Sequence, residues 1–259
     1  MKVEFYKYQG TGNDFIILDN RKGEYSIINE KQVHGLCDRK FGIGADGLML
    51  LGNADGYDFS MQYFNADGKG GSMCGNGGRC MVRFANDMGI KKTIYKFIAV
   101  DGEHLASFNE NGNIKLKMQD VDGFSSIGDD KVLNTGSPHY IKNVSGIKEL
   151  DVFNEGKKIR YSESYKQHGI NVNFVEQDED GLYLRTYERG VEDETLSCGT
   201  GATAAAIAST SIDGKHHVNV KVLGGTLEVE YERINEKHIT NIWLIGPAQF
   251  VYKGEITIS

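Results

Sequence analysis

Short apolar runs and apolar–polar alternation dominate the chain and predict a protein rich in β-strands. Residues 3–5 and 114–118 alternate as half-buried strands do, whereas residues 15–18 are apolar throughout, as in a fully buried strand. Glycine-rich segments interrupt these runs at short intervals, as turns do. By this pattern, strands are predicted near residues 3–5, 15–18, 48–51, 58–65, 93–100, 103–108, 113–118, 171–175, 182–187, 218–222, 227–231, 242–244 and 250–252.

Four segments carry helical signals instead. Asn29 fits the N-cap of a short helix that runs to about Cys37. After Cys74, apolar residues recur at the helical spacing i, i+3, i+4 and i+7, and Gly89 ends the pattern. A mixed polar segment near 147–160 is predicted to be helical. The alanine-rich segment 202–212 is apolar on every side, which predicts a helix that is buried all round.

The two halves of the chain repeat one another at an offset of 124 residues. Cys74-Gly75 recurs as Cys198-Gly199, and Thr11-Gly12 recurs as Thr135-Gly136. The same offset pairs Tyr63 with Tyr187, Gly77 with Gly201, Asn13 with Ser137, Gly47 with Asn171 and Asn65 with Arg189. Several widely spaced matches at one offset predict two structurally equivalent halves. If such halves face each other across a pseudo-twofold axis, equivalent residues share one cleft.

Composition and charge narrow the class of protein. Of the 259 residues, 33 are glycine and 2 are proline, which fits a turn-rich β architecture with pockets lined by backbone. The net charge of −7, with no basic cluster, argues against a nucleic-acid or anionic-membrane partner. The chain has no signal-peptide core and no apolar run long enough to span a membrane, so we expect a cytoplasmic protein.

The four cysteines are expected to be reduced thiols in that compartment, and without a Cys-x-x-Cys pair no metal site is expected. Cys37 and Cys80 fit ordinary buried packing positions. Cys74 and Cys198 differ, because each precedes Gly-x-Gly at a predicted helix start. Unpaired N–H groups and the positive end of the helix dipole lie there. They favour a thiolate and bind an anion such as a substrate carboxylate.

Two such cysteines suit inversion at a carbon better than other thiol chemistry. One thiolate removes a proton from Cα, the other thiol delivers a proton to the opposite face, and the helix N-termini stabilise the carbanion through its carboxylate. Acyl transfer needs a histidine base, and the sequence pairs His139 with neither cysteine as a triad. A Schiff-base lysine with a phosphate cup is not recognisable, so no pyridoxal cofactor is expected. A thiol redox module that uses Cys74, Cys80 and Cys198 stays an alternative from another class.

At these residues the sequence closely resembles the diaminopimelate epimerase family, which belongs to the cofactor-independent two-cysteine racemases. The resemblance spans nearly the whole chain in the family's order of motifs. It rests on residues 10–15, 42–46, 65–68, 73–77, 138–139, 171, 187–190, 194–195 and 198–201. Glu188-Arg189-Gly190 before the second cysteine and Asn76 after the first favour this family over proline racemase. The segment Gly42–Gly47 itself is interpreted as a turn, since neither a Lys-Ser/Thr pair nor a helix follows it.

The resemblance implies an α+β fold of two pseudo-symmetric domains, each a mixed, mostly antiparallel, barrel-like β-sheet around a central helix. The first domain, residues 1–117 with the returning last strand 248–259, carries Cys74. The second domain, residues 118–247, carries Cys198. The implied reaction interconverts LL- and meso-diaminopimelate in lysine and peptidoglycan-precursor synthesis, and it is carried out by a cytoplasmic isomerase that uses neither metal nor pyridoxal.

The resemblance also implies a role for each matching residue. The catalytic acid–base pair corresponds to Cys74 and Cys198. The residues around the reacting carboxylate correspond to Gly75, Asn76, Gly199 and Thr200. The residues that hold the ends of the substrate correspond to Asn13, Asn65, Asn171 and Arg189, of which the arginine suits a bidentate carboxylate clamp. The positions near the reacting amino group or the thiols correspond to His139 and Glu188.

Two positions depart from the family pattern. Ser137 stands where the family often has Asn, and Gly47 stands where some members have Gln. Because both positions line the substrate in the resemblance, a racemase or isomerase of the same superfamily that acts on another amino acid stays open. A serine hydroxyl or a water molecule can replace a lost amide. The expected partner is a small-molecule amino-acid substrate, with no nucleic acid and no membrane, and the sequence leaves the oligomeric state open, a homodimer included.

Overall fold

The computed structural model of the chain describes residues 1–71 and 73–258. The chain divides into two compact units, the first made of Met1–Leu116 and Pro247–Ser259 and the second of Lys117–Gly246. Each boundary lies one residue before the boundary drawn from the sequence. Cys74 lies in the first unit and Cys198 lies in the second.

The first unit is a mixed β-sheet with two helices. Its strands are β1 (Lys2–Gly10), β2 (Asn13–Asp19), β3 (Gly47–Gly52), β4 (Phe59–Asn65), β5 (Tyr95–Ala99), β6 (Gly102–Phe108), β7 (Ile114–Lys117) and β18 (Gln249–Thr257). Its helices are α1 (Glu30–Cys37) and α2 (Gly75–Asp87). The strand order is β18-β1-β2-β3-β4-β5-β6-β7, in which the β2–β3 and β4–β5 pairs are parallel and the others antiparallel.

The second unit has the same plan. Its strands are β8 (Val121–Asp122), β9 (Phe124–Ile127), β10 (Asp130–Asn134), β11 (Pro138–Asn143), β12 (Asn171–Asp178), β13 (Gly181–Glu188), β14 (Asp193–Thr195), β15 (Gly214–Val222), β16 (Gly225–Asn235) and β17 (His238–Gly246). Its helices are α3 (Val152–Arg160) and α4 (Gly199–Ala208). The order is β9-β10-β11-β12-β13-β15-β16-β17-β8, with β11–β12 and β13–β15 parallel, while β14 pairs with the end of β13.

The strand order from β18 to β7 matches the order from β9 to β17 element by element, including the positions of the two parallel pairs, while β8 extends the second unit by one strand. Within its own unit, α2 packs against β1, β2, β3 and β18, and α4 packs against β10 to β13 and β15 to β17. The predicted fold is therefore confirmed: two pseudo-symmetric, mostly antiparallel sheets, each with a central helix. The internal repeat seen in the sequence is a repeat of the fold.

The central helix α4 is buried on every side, as its apolar composition predicts. The helix begins at Gly199, before the predicted segment 202–212, and it ends at Ala208, before the end of that segment. Side chains satisfy its last carbonyl groups: Tyr231 Oη donates to Ala206 O at 3.0 Å and Arg233 donates to Ile207 O at 2.6 Å. With those carbonyls occupied the helix stops, and Ile212 is left exposed.

Of two other local predictions, the helix cap at Asn29 is confirmed and the helix 147–160 is wrong in part. Asn29 is the N-cap of α1, and a reciprocal pair of hydrogen bonds with Gln32 forms a capping box, so that prediction is confirmed. The predicted helix 147–160 is wrong in its first part, where a 3₁₀ turn (Ile147–Glu149) precedes α3. Asp151 separates the two because its side chain caps the N-terminus of α3 through Asn154 N at 3.1 Å.

The offset of 124 holds in the first strands of each repeat and fails in later ones. Phe15 pairs with Gly47 in β2–β3 and His139 pairs with Asn171 in β11–β12, which preserves the offset. In the next strand pair Gly47 lies opposite Asn65, whereas Asn171 lies opposite Glu188 through the continuous β12–β13 register. Asn65 is therefore equivalent to Glu188 and not to Arg189. By the same shift Tyr63 is equivalent to Thr186 and not to Tyr187.

Strands β8, β9 and β10 carry no clear alternation and were not predicted. They are short, Gly123 and Gly128 separate them, and their backbone pairing with neighbouring strands decides their conformation. Among the helices of the described residues, none has the length and apolarity that a membrane span requires.

Candidate active site

Cys74 is the N-cap of α2, the central helix of the first unit. Its backbone is extended (φ −99°, ψ 133°), and its carbonyl accepts the first hydrogen bond of the helix, from Gly78 N at 2.7 Å. The thiol does not cap the helix. The first N–H groups of an α-helix have no carbonyl four residues earlier in the helix to bond to, so the end of α2 at Gly75 and Asn76 can bind a carboxylate.

The side-chain amide of Asn13 presents its oxygen to Cys74. Asn13 Nδ2 donates to Asp46 Oδ2 at 2.6 Å, and a carboxylate oxygen can only accept. Oδ1 therefore points the other way, where it lies 3.6 Å from Cys74 Sγ and accepts from Asn76 Nδ2 at 3.3 Å. Because a carbonyl oxygen also only accepts, the sulfur must donate, and Asn13 favours the protonated thiol of Cys74.

Charged neighbours fix the position of Asp46. Arg39 Nη2 lies 2.8 Å from Asp46 and 2.6 Å from Asp14, while Lys7 Nζ lies 2.7 Å from Asp14 and also donates to the carbonyl of Gly44. Burial alone would raise the pKa of Asp14, but the hydrogen bonds from Arg39 and Lys7 outweigh it and hold that pKa below its usual value. The segment interpreted as a turn thus supports the site through Asp46.

Arg79 is a fully buried cation one turn into α2. Its guanidinium donates to Asn76 Oδ1 at 2.9 Å, and longer contacts reach Thr11 Oγ1 and the carbonyls of Gly75 and Pro247. Burial lowers its pKa to about 10, so it stays charged at neutral pH. By holding Asn76 Oδ1, Arg79 turns the amide nitrogen of Asn76 toward Asn13.

Asn65 and Gly47 stand opposite each other where β3 and β4 pair, and Asn65 is exposed. Directly opposed residues of an antiparallel pair point to the same face of the sheet, so both share the face of their neighbour Phe15. Phe15 lies against α2, since its Cε1 would be 3.6 Å from a Cβ on Gly77. Asn65 therefore lies on the helix side of the sheet, as a residue that contacts substrate at the end of α2 must.

Cys198 repeats the arrangement of Cys74 in the second unit, with different partners. It is the N-cap of α4, its backbone is extended (φ −121°, ψ 110°), and its side chain is buried. Sγ lies 3.5 Å from Thr200 Oγ1, and Thr200 Oγ1 lies 2.9 Å from His139 Nε2. The chain of contacts joins the thiol to a buried imidazole.

Asn173 determines which nitrogen of His139 carries the proton. Asn173 Nδ2 lies 3.0 Å from His139 Nδ1 and 3.1 Å from the carbonyl of Tyr140, and its Oδ1 accepts from Thr186 Oγ1 at 3.0 Å. With the amide held in this orientation, Nδ1 must accept and Nε2 must carry the hydrogen. His139 then donates to Thr200 Oγ1, which leaves the hydroxyl hydrogen of Thr200 available to Cys198 Sγ at 3.5 Å.

His139 is neutral as well as oriented. Its side chain is fully buried, and burial lowers its pKa to about 3. A neutral imidazole cannot act as a cation beside Cys198, so its contribution is to direct the hydroxyl of Thr200.

The remaining predicted residues of the second unit form a separate group. Asn171 Nδ2 donates to Ser137 Oγ at 2.9 Å, and Asn171 Oδ1 accepts from Arg189 N at 2.8 Å. Arg189 Nη2 lies 3.2 Å from the same serine oxygen. Glu188 accepts from Thr195 Oγ1 at 2.9 Å. Ser137, Asn171 and Arg189 are thus brought together, and the serine hydroxyl is the hub of the group.

The two other cysteines are packing residues. Cys37 and Cys80 are buried, and burial raises the thiol pKa of each to about 12. A thiol with so high a pKa does not act as a nucleophile or exchange disulfides at neutral pH. The interpretation of Cys37 and Cys80 as packing residues is confirmed, and the burial of Cys80 weakens the alternative of a redox module.

Sequence reasoning missed Asn173, Asp46 and Arg79. Asn173 follows Asn171 by two residues on β12, so strand alternation could have placed both side chains on one face. Asp46 was assigned to a turn, and Arg79 was assigned to no role. In the described part of the chain, no group of three or more His, Cys, Asp or Glu side chains is placed to hold a metal ion.

Known sequences resemble the chain over nearly all of its length. The profile of the family described as diaminopimelate epimerase matches residues 5–123 and 131–251. A diaminopimelate epimerase of Flavobacterium psychrophilum is 51% identical over 98% of this chain and 100% of its own. That of Chlorobaculum tepidum is 44% identical over 96% of this chain and 99% of its own.

Solved structures share the fold at much lower identity. A phenazine biosynthesis protein of the PhzF family from Bacillus anthracis superposes with a TM-score of 0.73 at 17% identity and covers 100% of both chains. A probable proline racemase from Agrobacterium radiobacter superposes with a TM-score of 0.70 at 12% identity over 99% of this chain and 93% of its own. At such identities these likenesses concern the fold alone.

Proposed function

The chain belongs to the diaminopimelate epimerase family, and we infer that it interconverts LL- and meso-diaminopimelate without pyridoxal phosphate. One observation carries the assignment of its catalytic groups: each unit places one cysteine as the N-cap of its central helix, next to first-turn glycine N–H groups. We assign Cys74 and Cys198 as the acid–base pair on that basis. Lysine and peptidoglycan-precursor synthesis in the cytoplasm is the setting that we propose for the reaction.

The chemistry follows from two thiols that act on one Cα. A cysteine thiolate takes the Cα proton, and the electron pair left behind spreads into the adjacent carboxylate. The thiol of the other cysteine gives its proton to the opposite face of the same carbon, so the configuration inverts. The N–H groups at the start of α2 and α4 stabilise the carboxylate as its charge grows, and because they are fixed by the helix they need no reorganisation.

The hydrogen-bond partners assign a resting state to the pair. Cys74 donates to a carbonyl oxygen, that of Asn13, which favours a thiol. Cys198 faces the hydroxyl of Thr200, which accepts a hydrogen bond from His139 and keeps its own hydrogen to donate. We propose that this hydrogen is donated to the sulfur of Cys198, which favours a thiolate. We propose that the free enzyme holds Cys198 as the base and Cys74 as the acid.

The polar residues around each cysteine are proposed to hold the substrate. Gly75, Asn76, Gly199 and Thr200 would bind the reacting carboxylate, since they form the first turns of α2 and α4. Asn13, Asn65, Asn171, Glu188 and Arg189 would bind the other polar groups of the substrate. Ser137 supports this set, because its hydroxyl already joins Asn171 and Arg189.

Deuterium exchange tests the proposal. The reduced protein is incubated with LL-diaminopimelate in D₂O, and deuterium at Cα and conversion to the meso form are followed by mass spectrometry and chiral chromatography. We expect both for the natural chain, and no epimerisation for Cys74→Ala or Cys198→Ala. Cys37→Ala removes a thiol outside the site and is expected to keep the activity. Absence of exchange with folded, reduced protein would refute the function, and substantial epimerisation by either active-site variant would refute the pair.

We also propose that the protein forms a homodimer through β18. This strand pairs with β1, and Phe250, Val251 and Tyr252 are about half exposed. An exposed apolar edge strand offers both backbone hydrogen-bonding groups and apolar surface to a second copy. Light scattering of the natural chain and of Val251→Lys tests this, and a natural chain that is monomeric at micromolar concentration would overturn it.

A further inference from the structure

Tyr63 occupies the space that a side chain at position 47 would take. A Cβ on Gly47 would lie 2.5 Å from Tyr63 Cε2 and 2.8 Å from Tyr63 Oη, far inside contact distance. Any larger residue at 47 must therefore displace this ring. The Tyr63 ring can lie in this place because position 47 has no side chain.

The opposite side of the ring is packed equally closely. A Cβ on Gly71 would lie 2.6 Å from Tyr63 Cδ1 and 2.7 Å from Tyr63 Cε1. The ring thus lies between the backbones of Gly47 and Gly71, and Phe15 meets it edge-on with ring centroids 6.1 Å apart. These contacts hold the ring in one orientation, and its hydroxyl end lies over Gly47.

This position lies among the proposed substrate contacts of the first unit. Gly47 is directly opposite Asn65 in the sheet, and Asn65 Oδ1 would be 3.0 Å from the same Cβ on Gly71 that touches the Tyr63 ring. Tyr63 is of intermediate exposure, so part of the residue is open to solvent. Tyr63 and Asn65 together form one polar wall on the helix side of the sheet.

The internal repeat gives an independent indication of what this position does. Asn171 is the equivalent of Gly47 in the second unit, since each pairs with the equivalent residue of a parallel strand, His139 and Phe15. Asn171 supplies an amide that bonds to Ser137 and Arg189. The second unit fills the position with a polar group from the strand itself, whereas the first unit fills it with the phenol of a neighbouring strand.

We propose that Tyr63 is a substrate-binding residue, which lies beside Asn65 and donates its hydroxyl hydrogen to the diaminopimelate carboxylate at the end away from the reacting carbon. This inference rests on the proposed function and adds a residue to its binding set. A phenol held between two backbones is already ordered before substrate arrives, so little entropy is lost when it binds. A carboxylate is the ligand that suits a lone hydroxyl donor, because the hydrogen bond is charge-assisted.

Tyr63→Phe is the direct test, because it removes the hydroxyl and keeps the ring between Gly47 and Gly71. We expect KM for LL-diaminopimelate to rise about tenfold or more, the loss of one hydrogen bond to a charged group, while kcat stays within about twofold. A contact away from the reacting carbon binds substrate and transition state alike, which is why the two constants separate. Tyr57→Phe, whose ring lies under Lys96 Nζ at 5.3 Å, is the control.

The outcomes distinguish this inference from the function on which it rests. If the natural chain shows no Cα exchange, the proposed function fails. If the natural chain is active and Tyr63→Phe keeps both KM and kcat, the hydroxyl has no role and the inference is overturned. If kcat and the melting temperature fall together while KM is unchanged, Tyr63 has a packing role alone, which also overturns it.

A double-mutant cycle tests the steric link between the two positions. Gly47→Ala places a Cβ against the Tyr63 ring and is expected to raise KM as much as Tyr63→Leu does. The same Cβ would lie 2.7 Å from the carbonyl oxygen of Phe64, a clash that Tyr63→Leu does not relieve. We expect the double variant to be no worse in KM than either single variant. Effects on KM that multiply would show that the backbone clash dominates and that position 47 does not act through Tyr63.

Discussion

Phe15 and His139 occupy the same strand position in the two units: each is fully buried and pairs with the first residue of a parallel neighbouring strand. An apolar ring therefore lies beside the central helix of the first unit, where the second unit has an imidazole bonded to Thr200. The two units repeat the same backbone fold, but the side chains at equivalent positions differ in their chemistry. The two cysteines meet opposite hydrogen-bonding groups as a result.

The asymmetry predicts which thiol reacts first. At pH 7 we expect iodoacetamide to alkylate Cys198 faster than Cys74, because alkylation follows the thiolate fraction. Thr200→Val removes the hydroxyl that faces Cys198 and should slow alkylation of Cys198 by about tenfold, the effect of one hydrogen bond to a charged group. Peptide mass spectrometry measures each site separately. Thr203→Val is the matched control, since its hydroxyl bonds to Gly199 O inside the same helix.

A negative charge at position 173 should reverse the direction of the hydrogen bond between His139 and Thr200. In Asn173→Asp the carboxylate can only accept a hydrogen bond, which favours the tautomer of His139 with its hydrogen on Nδ1. Nε2 then becomes an acceptor, and Thr200 donates to it and no longer to Cys198. We expect slower alkylation of Cys198 and a loss of kcat/KM of at least about tenfold. Asn173→Leu removes the hydrogen-bond partner of His139 Nδ1 and of Thr186 Oγ1 and should cost about 2 kcal/mol of unfolding free energy. Unchanged Cys198 reactivity in Asn173→Asp would contradict the assigned orientation of His139.

Burial of neutral His139 predicts a loss of stability in mild acid. Its pKa is about 3 in the folded chain against 6.5 for an ordinary histidine, so between these values the unfolded chain binds the additional proton. The unfolding free energy therefore falls as pH falls through this range, by about 2 kcal/mol from pH 7 to pH 5 for this residue. Urea unfolding at both pH values measures it. His139→Gln should lose this part of the dependence, and an equal slope in the variant would count against the prediction.

Arg79 is predicted to act through the orientation of Asn76. Arg79→Met removes the buried cation and keeps a side chain of similar length, so we expect unfolding free energy to change by no more than about 2 kcal/mol. The amide of Asn76 then loses its fixed partner, and kcat/KM should fall by about tenfold or more. Arg83→Met, on the exposed side of the same helix, should leave activity unchanged. Loss of folding without a separate effect on activity at low temperature would show that Arg79 is purely structural.

Local sequence signals were enough to predict much of the fold and the centre of the site. A capping residue, a helical period and a glycine after a cysteine act within about four residues, so Asn29, α2 and the two N-cap cysteines could be located from sequence. The repeat followed from the same local signals, each occurring twice. Asn171 and Arg189 were also predicted as substrate contacts, and position 137 as one that lines the substrate, because a known family has such residues at these positions.

The tertiary structure decided the partners of these residues. Asn173 and His139 are 34 residues apart, and Asn13 and Asp46 are 33 apart; only parallel pairing of β11 with β12 and of β2 with β3 brings them within hydrogen-bond distance. The register of β4 and β13 likewise depends on pairing along the whole strand, which is why the offset failed at Asn65. The sequence by itself determined that two cysteines begin two helices. The tertiary structure decided that one meets a carbonyl oxygen and the other a hydroxyl group, because side chains from neighbouring strands surround each helix end.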